Sequence, residues 1–194
     1  MPPGPLDDEY LDRVVVGPRD TTPKRVVLVD PDPDWPRQFA AHEARIRAAL
    51  GSDALRVEHV GSTSVPGLRA KPRVDVLVTV ADPEDPDVVS RLEAAGYRLH
   101  VREPGHRCLV VPGGRGPDAN VHVWAADDPE VERCLLFREQ LRADPADRAR
   151  YQARKEELAG ELWTDVNHYA AAKGEVIDSV IARARAVGRR PPAP

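Results

Sequence analysis

The stretch His59-Val-Gly-Ser-Thr-Ser-Val-Pro-Gly67, running on through Lys71-Pro72 to Asp75, decides how this chain reads. Before it, 55–60 (LRVEHV) alternates as a strand does. After it, 73–80 (RVDVLVTV) is apolar on both faces, the pattern of a strand buried in the middle of a sheet. The Gly, Ser and Pro residues between them break both strands into a loop. Glycine lets backbone N–H groups come close to an anion, and Ser62, Thr63 and Ser64 add hydroxyl donors. Asp75 stands thirteen residues after Ser62, near the start of the buried strand. A carboxylate there is costly unless it is paired, hydrogen-bonded or bound to a cation. The layout suits phosphoryl or nucleotidyl transfer, with Gly61 and the hydroxyls on the phosphates and Asp75 on a divalent metal. The plainer alternative is an ordinary loop pinned by a buried aspartate. The chain has neither a GxxxxGK[ST] phosphate loop nor a GxGxxG dinucleotide turn, which argues against common kinases and dehydrogenases.

Working outward, 25–30 (RVVLVD) reads as a short strand and 33–50 as an amphipathic helix, capped at Asp32 and ended by Gly51. Residues 86–95 read as a helix closed at Gly96. Strands follow at 97–101, 107–111 and 120–124 (NVHVW), the last two paired through a turn at 112–116. After Asp128 the pattern becomes helical. Val131, Leu135, Phe137 and Leu141 mark one helix, and Tyr151, Leu158, Leu162, Val166 and Tyr169 one face of a longer second. Val176, Ile177, Val180 and Ile181 mark a third. The result is an α/β (α+β) layout: a mixed sheet flanked by helices, with a C-terminal helical part from about residue 128. Residues 1–24 read as a loose arm, 25–187 as the domain and 188–194 as a loose tail.

Composition narrows the function. Apolar residues at 41% suffice for a core, and a net charge of −4 argues against a broad surface that tracks nucleic acid. No apolar run spans a bilayer and the N-terminus has no signal-peptide pattern, so we expect a cytoplasmic protein. Cys108 and Cys134 sit in no CxxC pair and read as buried thiols. Lysine occurs only at 24, 71, 155 and 173 among many arginines, so each one carries weight.

The run VEHVGSTSVPGLRAKPRVDVLV, with NVHVW, FREQLRADPADRARYQARKEELA, Tyr169 and Lys173, resembles the GrpB family over roughly residues 25 to 185. That family resembles the nucleotidyltransferase superfamily. The resemblance implies a nucleotidyltransferase-like mixed sheet and a nucleotide or other anionic small molecule as partner, with no bulk nucleic acid and no membrane. It also bears on Tyr151, Lys155, Tyr169 and Lys173, which match a family pattern Y...K, so that both lysines would close the cleft over an anion. An active superfamily member carries Asp-x-Asp or Asp-x-Glu on its strand and a third carboxylate later. Here Leu77 stands where the second acid belongs, and the later strand offers Asn120 and His122, with Asp118 just before.

One certain carboxylate cannot hold two metals about 4 Å apart. A single cation (Mg, Mn or Zn) on Asp75, His59 and His122 is the expectation that survives, with hydrogen-bonded histidines as its alternative. Lys71, Arg69 and Arg107 are further anion-binding candidates, with Arg138 a weaker one. Asp165, Tyr169 and Lys173 recur at intervals of four. Three functions stay open: nucleotidyl or phosphoryl transfer with Asp75, Lys155 and Lys173 as catalytic groups; an accessory binding module, since related domains are joined to dephospho-CoA kinase; and a cleft using His59 or His122 for acid–base work.

Overall fold

The computed structural model describes residues 7–112 and 118–192; the expected turn at 112–116 falls, from residue 113 on, outside the described residues. Five strands form one mixed sheet: β1 (Arg56–Val60), β2 (Val74–Val80), β3 (Arg98–Glu103), β4 (His106–Val110) and β5 (Ala119–Ala125). Their order is β1-β2-β5-β4-β3, with β2 parallel to β5 and every other pair antiparallel. β2 and β5 are the valine-rich runs, and they take the centre because both of their faces are covered.

One face of the sheet packs Val74, Val76, Val78, Val121 and Val123 in a single apolar cluster with Trp35, Ile46 and Leu50 of α2 (Trp35–Leu50) and Val88 and Leu92 of α3 (Pro86–Ala94). The other face meets α4 (Pro129–Ala143), whose Val131 and Leu135 cluster with Val60, Leu77 and Trp124. Beyond α4 come α5 (Pro145–Ala159), α6 (Val166–Ala171) and α7 (Gly174–Ala186). Phe137, Leu141, Tyr151, Val180 and Ile181 join these helices to Val65 and Leu68 of the β1–β2 connection. Helices α3 to α6 each begin at an aspartate whose carboxylate accepts a backbone N–H two residues on: Asp85, Asp128, Asp144 and Asp165. Each such cap is worth about 1 kcal/mol. Among the described residues no helix is long and apolar enough to cross a membrane.

Five expectations change. The run at 25–30 is not a strand of the sheet; only Val29 bridges, to Ala70, because it crosses the β1–β2 connection rather than reaching a free sheet edge. The helix expected from Asp32 starts at Trp35, since Asp32 spends its side chain and carbonyl on a turn to the Asp34 and Trp35 N–H groups. The long helix through Tyr151 and Tyr169 ends at Ala159, and Leu162 is left exposed. There Trp163 turns back, giving its indole N–H to Leu158 O and bridging to Lys24. In place of a loose arm, residues 8–14 form α1 (Asp8–Val14), whose Leu11 and Val14 pack on Val101 of β3. Arg19 then joins Asp8 and Asp12 of α1 to Asp165. In the tail, Arg189 donates to Gln140 and Pro192 O accepts from Arg56.

Candidate functional site

The register of β1 on β2 pairs Val60 with Asp75, and that of β2 on β5 pairs Asp75 with Asn120 and Leu77 with His122. Side chains two apart share a face. Asp75, Leu77, Asn120, His122 and Trp124 therefore line the α4 side of the sheet. Directly after β1 the chain bends at Gly61, with φ 68° and ψ −170°, a region that only glycine occupies without strain. A Cβ there would lie 2.2 Å from Asp75 Oδ2. The missing side chain is what lets the bend close onto the carboxylate. Asn120 Nδ2 donates to Asp75 Oδ1 over 2.8 Å, and Arg73 holds both Asn120 and Asp118.

Of the three hydroxyls in the turn, only Ser62 faces the cleft. Its Oγ lies 3.4 Å from Tyr151 Oη and 3.4 Å from Lys155 Nζ. Thr63 is spent on His59 (3.0 Å) and Ser64 donates to Gly61 O (2.7 Å), so the turn consumes both.

Three of the four lysines in the chain converge on this place. Lys155 is 2% exposed; rather than reaching out to solvent, it donates to Arg69 O and lies over the Tyr151 ring. Lys173 and Lys71 sit 4.6 Å and 5.7 Å from the Tyr169 ring. Burial, and then the charge of Lys173, push Lys155 down to about 7 and Lys71 down to about 8. Burial pushes Lys173 to about 8, against the pull of Asp75. Among the described residues the buried Tyr169 hydroxyl has no hydrogen-bond partner. Burial raises Tyr151 to about 12, so it stays a neutral donor. The spacing of Asp165, Tyr169 and Lys173 does not lie on one helix: Asp165 caps α6, and Lys173 follows it, ahead of α7. Tyr169 and Lys173 still meet, whereas Asp165 turns away to Arg19.

On the β5 side a second group appears. His106, His122 and Trp124 stack, with ring centroids 4.6 to 5.4 Å apart. His122 Nε2 is 4.0 Å from Asp75 Oδ1, and its Nδ1 is 3.2 Å from His106 Nε2. His106 Nδ1 lies 2.6 Å from Glu103, which also accepts from Tyr10 of α1. The sequence suggested Arg107 as an anion-binding residue near the site, but the register pairs it with Val123 and places Cys108 opposite His122, with His106 beside it. Arg107 falls on the opposite side, where it donates to the Glu103 and His106 carbonyls. Arg107 is therefore not a cleft residue. Tyr10 and Glu103 carried no motif, and only a known β3–β4–β5 register would have exposed them.

His59 is also displaced. It pairs with Val76, on the α2 face, and stacks on Phe39 at 4.9 Å. The triad of Asp75, His59 and His122 is therefore split across the sheet, and burial first of all pushes His59 down to about 4. Leu77 is sealed under α4. Asp75 and His122 alone remain, and among the described residues no three of His, Cys, Asp and Glu gather to hold a metal ion. This donor set does not fit the two-metal centre of nucleotidyl transfer, nor the three-ligand site expected. Arg69 is tied to Asp30 and Glu156, and Arg138 to Glu58 and His59 O. Cys108 is buried and Cys134 half-buried, both as free thiols.

A Gly-Ser turn closing on a strand carboxylate, in a five-stranded mixed sheet with a helical part folded over it, defines a mixed α/β protein. A family model described as GrpB protein matches residues 25–183, and the chain belongs to the GrpB family. It is 43% identical over 183 residues to a UPF0157 protein of Halalkalibacterium halodurans, covering 94% of each chain. The crystal structure of the conserved protein GrpB from Enterococcus faecalis aligns with a TM-score of 0.68 at 30% identity, over 81% of this chain and 98% of that one. A dephospho-CoA kinase of Mycolicibacterium paratuberculosis is 35% identical over 76% of this chain, which corresponds to 43% of the kinase.

Proposed function

We propose that this protein binds a phosphate-bearing small molecule, a nucleotide or a related anion, in the cleft between Ser62, Asp75 and the Lys71–Lys155–Lys173 cluster. The observation that carries the reading is the gathering of three lysines at one place, Lys71 and Lys173 acting on Asp75 and Lys155 lying 3.4 Å from Ser62 Oγ. Three cations held partly out of water repel one another, and such a cluster is costly without an anion to neutralise it. The Tyr169 hydroxyl, without a hydrogen-bond partner among the described residues, supplies a donor for such an anion. In this reading lysine charge takes the place that a metal pair holds in active nucleotidyltransferases. Ser62 and Tyr151 orient the anion, and Lys155 and Lys173 stand where developing negative charge would be stabilised.

Two finer readings divide the same site. Asp75, pressed against the Gly61 bend, favours nucleotidyl or phosphoryl transfer with a single cation. Kinship with part of a dephospho-CoA kinase favours an accessory binding role. Calorimetric titration of ATP and of inorganic pyrophosphate, in EDTA and in Mg²⁺, separates them. We expect binding in EDTA that weakens about tenfold in Lys155→Met, the loss of one charge-assisted contact. Binding seen only with Mg²⁺ and abolished by Asp75→Ala would overturn the lysine reading in favour of metal-dependent transfer.

A further inference from the structure

Helix α6 carries Tyr169 and leads to Lys173, yet little of the core holds it. Its six residues make fewer than two turns, and a helix so short does not stand alone in water. Tyr169 is its one buried residue. Every other helix contributes to an apolar cluster, and among the described residues α6 contributes to none.

The N-terminal arm supplies the missing hold at three points. Arg19 Nε donates to Asp165 Oδ2 over 3.0 Å. The other oxygen of Asp165 caps α6 by accepting the Asn167 N–H, so one carboxylate both starts the helix and ties it to the arm. Asp8 lies 3.7 Å from His168 Nε2 within α6. Lys24 exchanges both backbone hydrogen bonds with Trp163, whose ring meets that of Tyr169 edge-on at 6.0 Å. The other end of the arm is fixed to the sheet. Leu11 and Val14 pack with Val101, and the Val16 N–H donates to His100 O. The arm therefore runs as a strap from β3 to α6.

Arg19 is the centre of that strap. It also meets Asp8 and Asp12, each at 2.6 Å. A guanidinium presents its N–H groups as a rigid planar fork, which lets one side chain serve three carboxylates at once. The Arg19 and Asp165 side chains are only 7% and 8% exposed. A pair this sheltered fixes a geometry, because removing Arg19 leaves the Asp165 charge without a counterpart.

We propose that Arg19 is a positioning residue for the anion site: by fixing Asp165 at the head of α6, it holds Tyr169 and Lys173 in the cleft. This rests on the anion reading above and deepens it, since affinity then depends on a residue that acts through Asp165 rather than on the ligand. By linkage the dependence runs both ways, so an anion bound at Lys173 tightens the arm.

The test is calorimetry of the full chain with inorganic pyrophosphate in EDTA, arranged as double-mutant cycles. Arg19→Gln should weaken binding about tenfold, the worth of one charge-assisted contact. Combined with Lys173→Met, it should cost no more than Lys173→Met alone. Combined with Lys155→Met, on α5, the two losses should multiply. A merely structural role would weaken both lysine backgrounds alike. Asp165→Asn keeps the cap, since Asn serves there as well as Asp, and loses the ion pair. It should reproduce Arg19→Gln, and it carries the test by itself where Arg19→Gln does not fold. In the free protein, amide hydrogens of 167–171 should exchange faster in both variants while those of β2 keep their protection. Wild-type affinity in Arg19→Gln overturns the inference, as do losses that multiply with Lys173→Met or α6 amides that stay protected. If the wild-type protein binds no pyrophosphate, the anion reading falls and takes the positioning role with it; if it binds and Arg19→Gln binds equally well, only the positioning role falls.

Discussion

The two faces of the sheet are built from the same strands and differ in almost everything else. Towards α2 and α3, β2 and β5 present Val74, Val76, Val78, Val121 and Val123, with no polar side chain from either strand. Towards α4 the intervening positions present Asp75, Leu77, Asn120, His122 and Trp124. One face makes the protein fold, and the other spends part of its burial on chemistry. A strand repeats every two residues, so stability and function are interleaved one position apart. Only part of the chemical face is open: α4 covers Leu77 and stops short of Asp75.

The sharpest way to break this contrast is Leu77→Asp, which puts a second acid two residues after Asp75 on the same face. Leu77 is 0% exposed, beneath Val131 and Leu135. An unpaired carboxylate there should cost about 4 kcal/mol or more, read as a lowered midpoint in urea, and should add no metal affinity. If L77D folds normally and binds Mn²⁺, the division of the chemical face is wrong. Next is Gly61→Ala. The bend's dihedrals alone should cost about 2–3 kcal/mol, and the new methyl group would push Asp75 aside. Thermal unfolding should register the loss, and phosphate binding should fall with it. Combining it with Asp75→Ala removes the clash but leaves the backbone strain, so stability should return only in part.

A smaller effect separates the faces by pH. Lys155, Lys71 and Lys173 sit at about 7, 8 and 8, below an ordinary 10.5. The unfolded chain holds those protons to higher pH than the folded one does. The free protein should therefore gain stability from these groups as pH rises from about 7 towards 10. Anion affinity needs the protonated lysines, so it should fall over the same range. Calorimetry of both quantities checks the opposed signs; parallel slopes would remove the lysines from the site. The smallest effect is His59→Gln. His59 lies on the valine face and reaches the turn through Thr63, which does not face the cleft, so anion affinity should fall by less than about fivefold while stability falls.

The sequence revealed the turn and central strand because valine runs and glycine punctuation are local signals. It also placed Ser62, Asp75, Lys155 and the pairing of Tyr169 with Lys173 in one neighbourhood, although Gly160 breaks the helix that the spacing implied. It could not say which of two neighbours faces the cleft. His59 and Arg107 each lie one residue from a position on the α4 face of the sheet, Val60 and His106, and strand pairing over distance settles such parity. Tyr10 escaped notice because its Asp- and Pro-rich surroundings look disordered, whereas Leu11, Val14 and the triple ion pairing of Arg19 tie them down.

Lys71 belongs to the β1–β2 connection, Lys155 to α5 and Lys173 to the joint between α6 and α7. These are three stretches of backbone with no covalent reason to move together. A molecule gripped by all three ammonium groups at once would act as a clasp across them. Amide hydrogens in the joint and in the connecting loop would then exchange with deuterium more slowly in step, though they lie far apart along the chain, and occupancy would be written into the rigidity of the helical part.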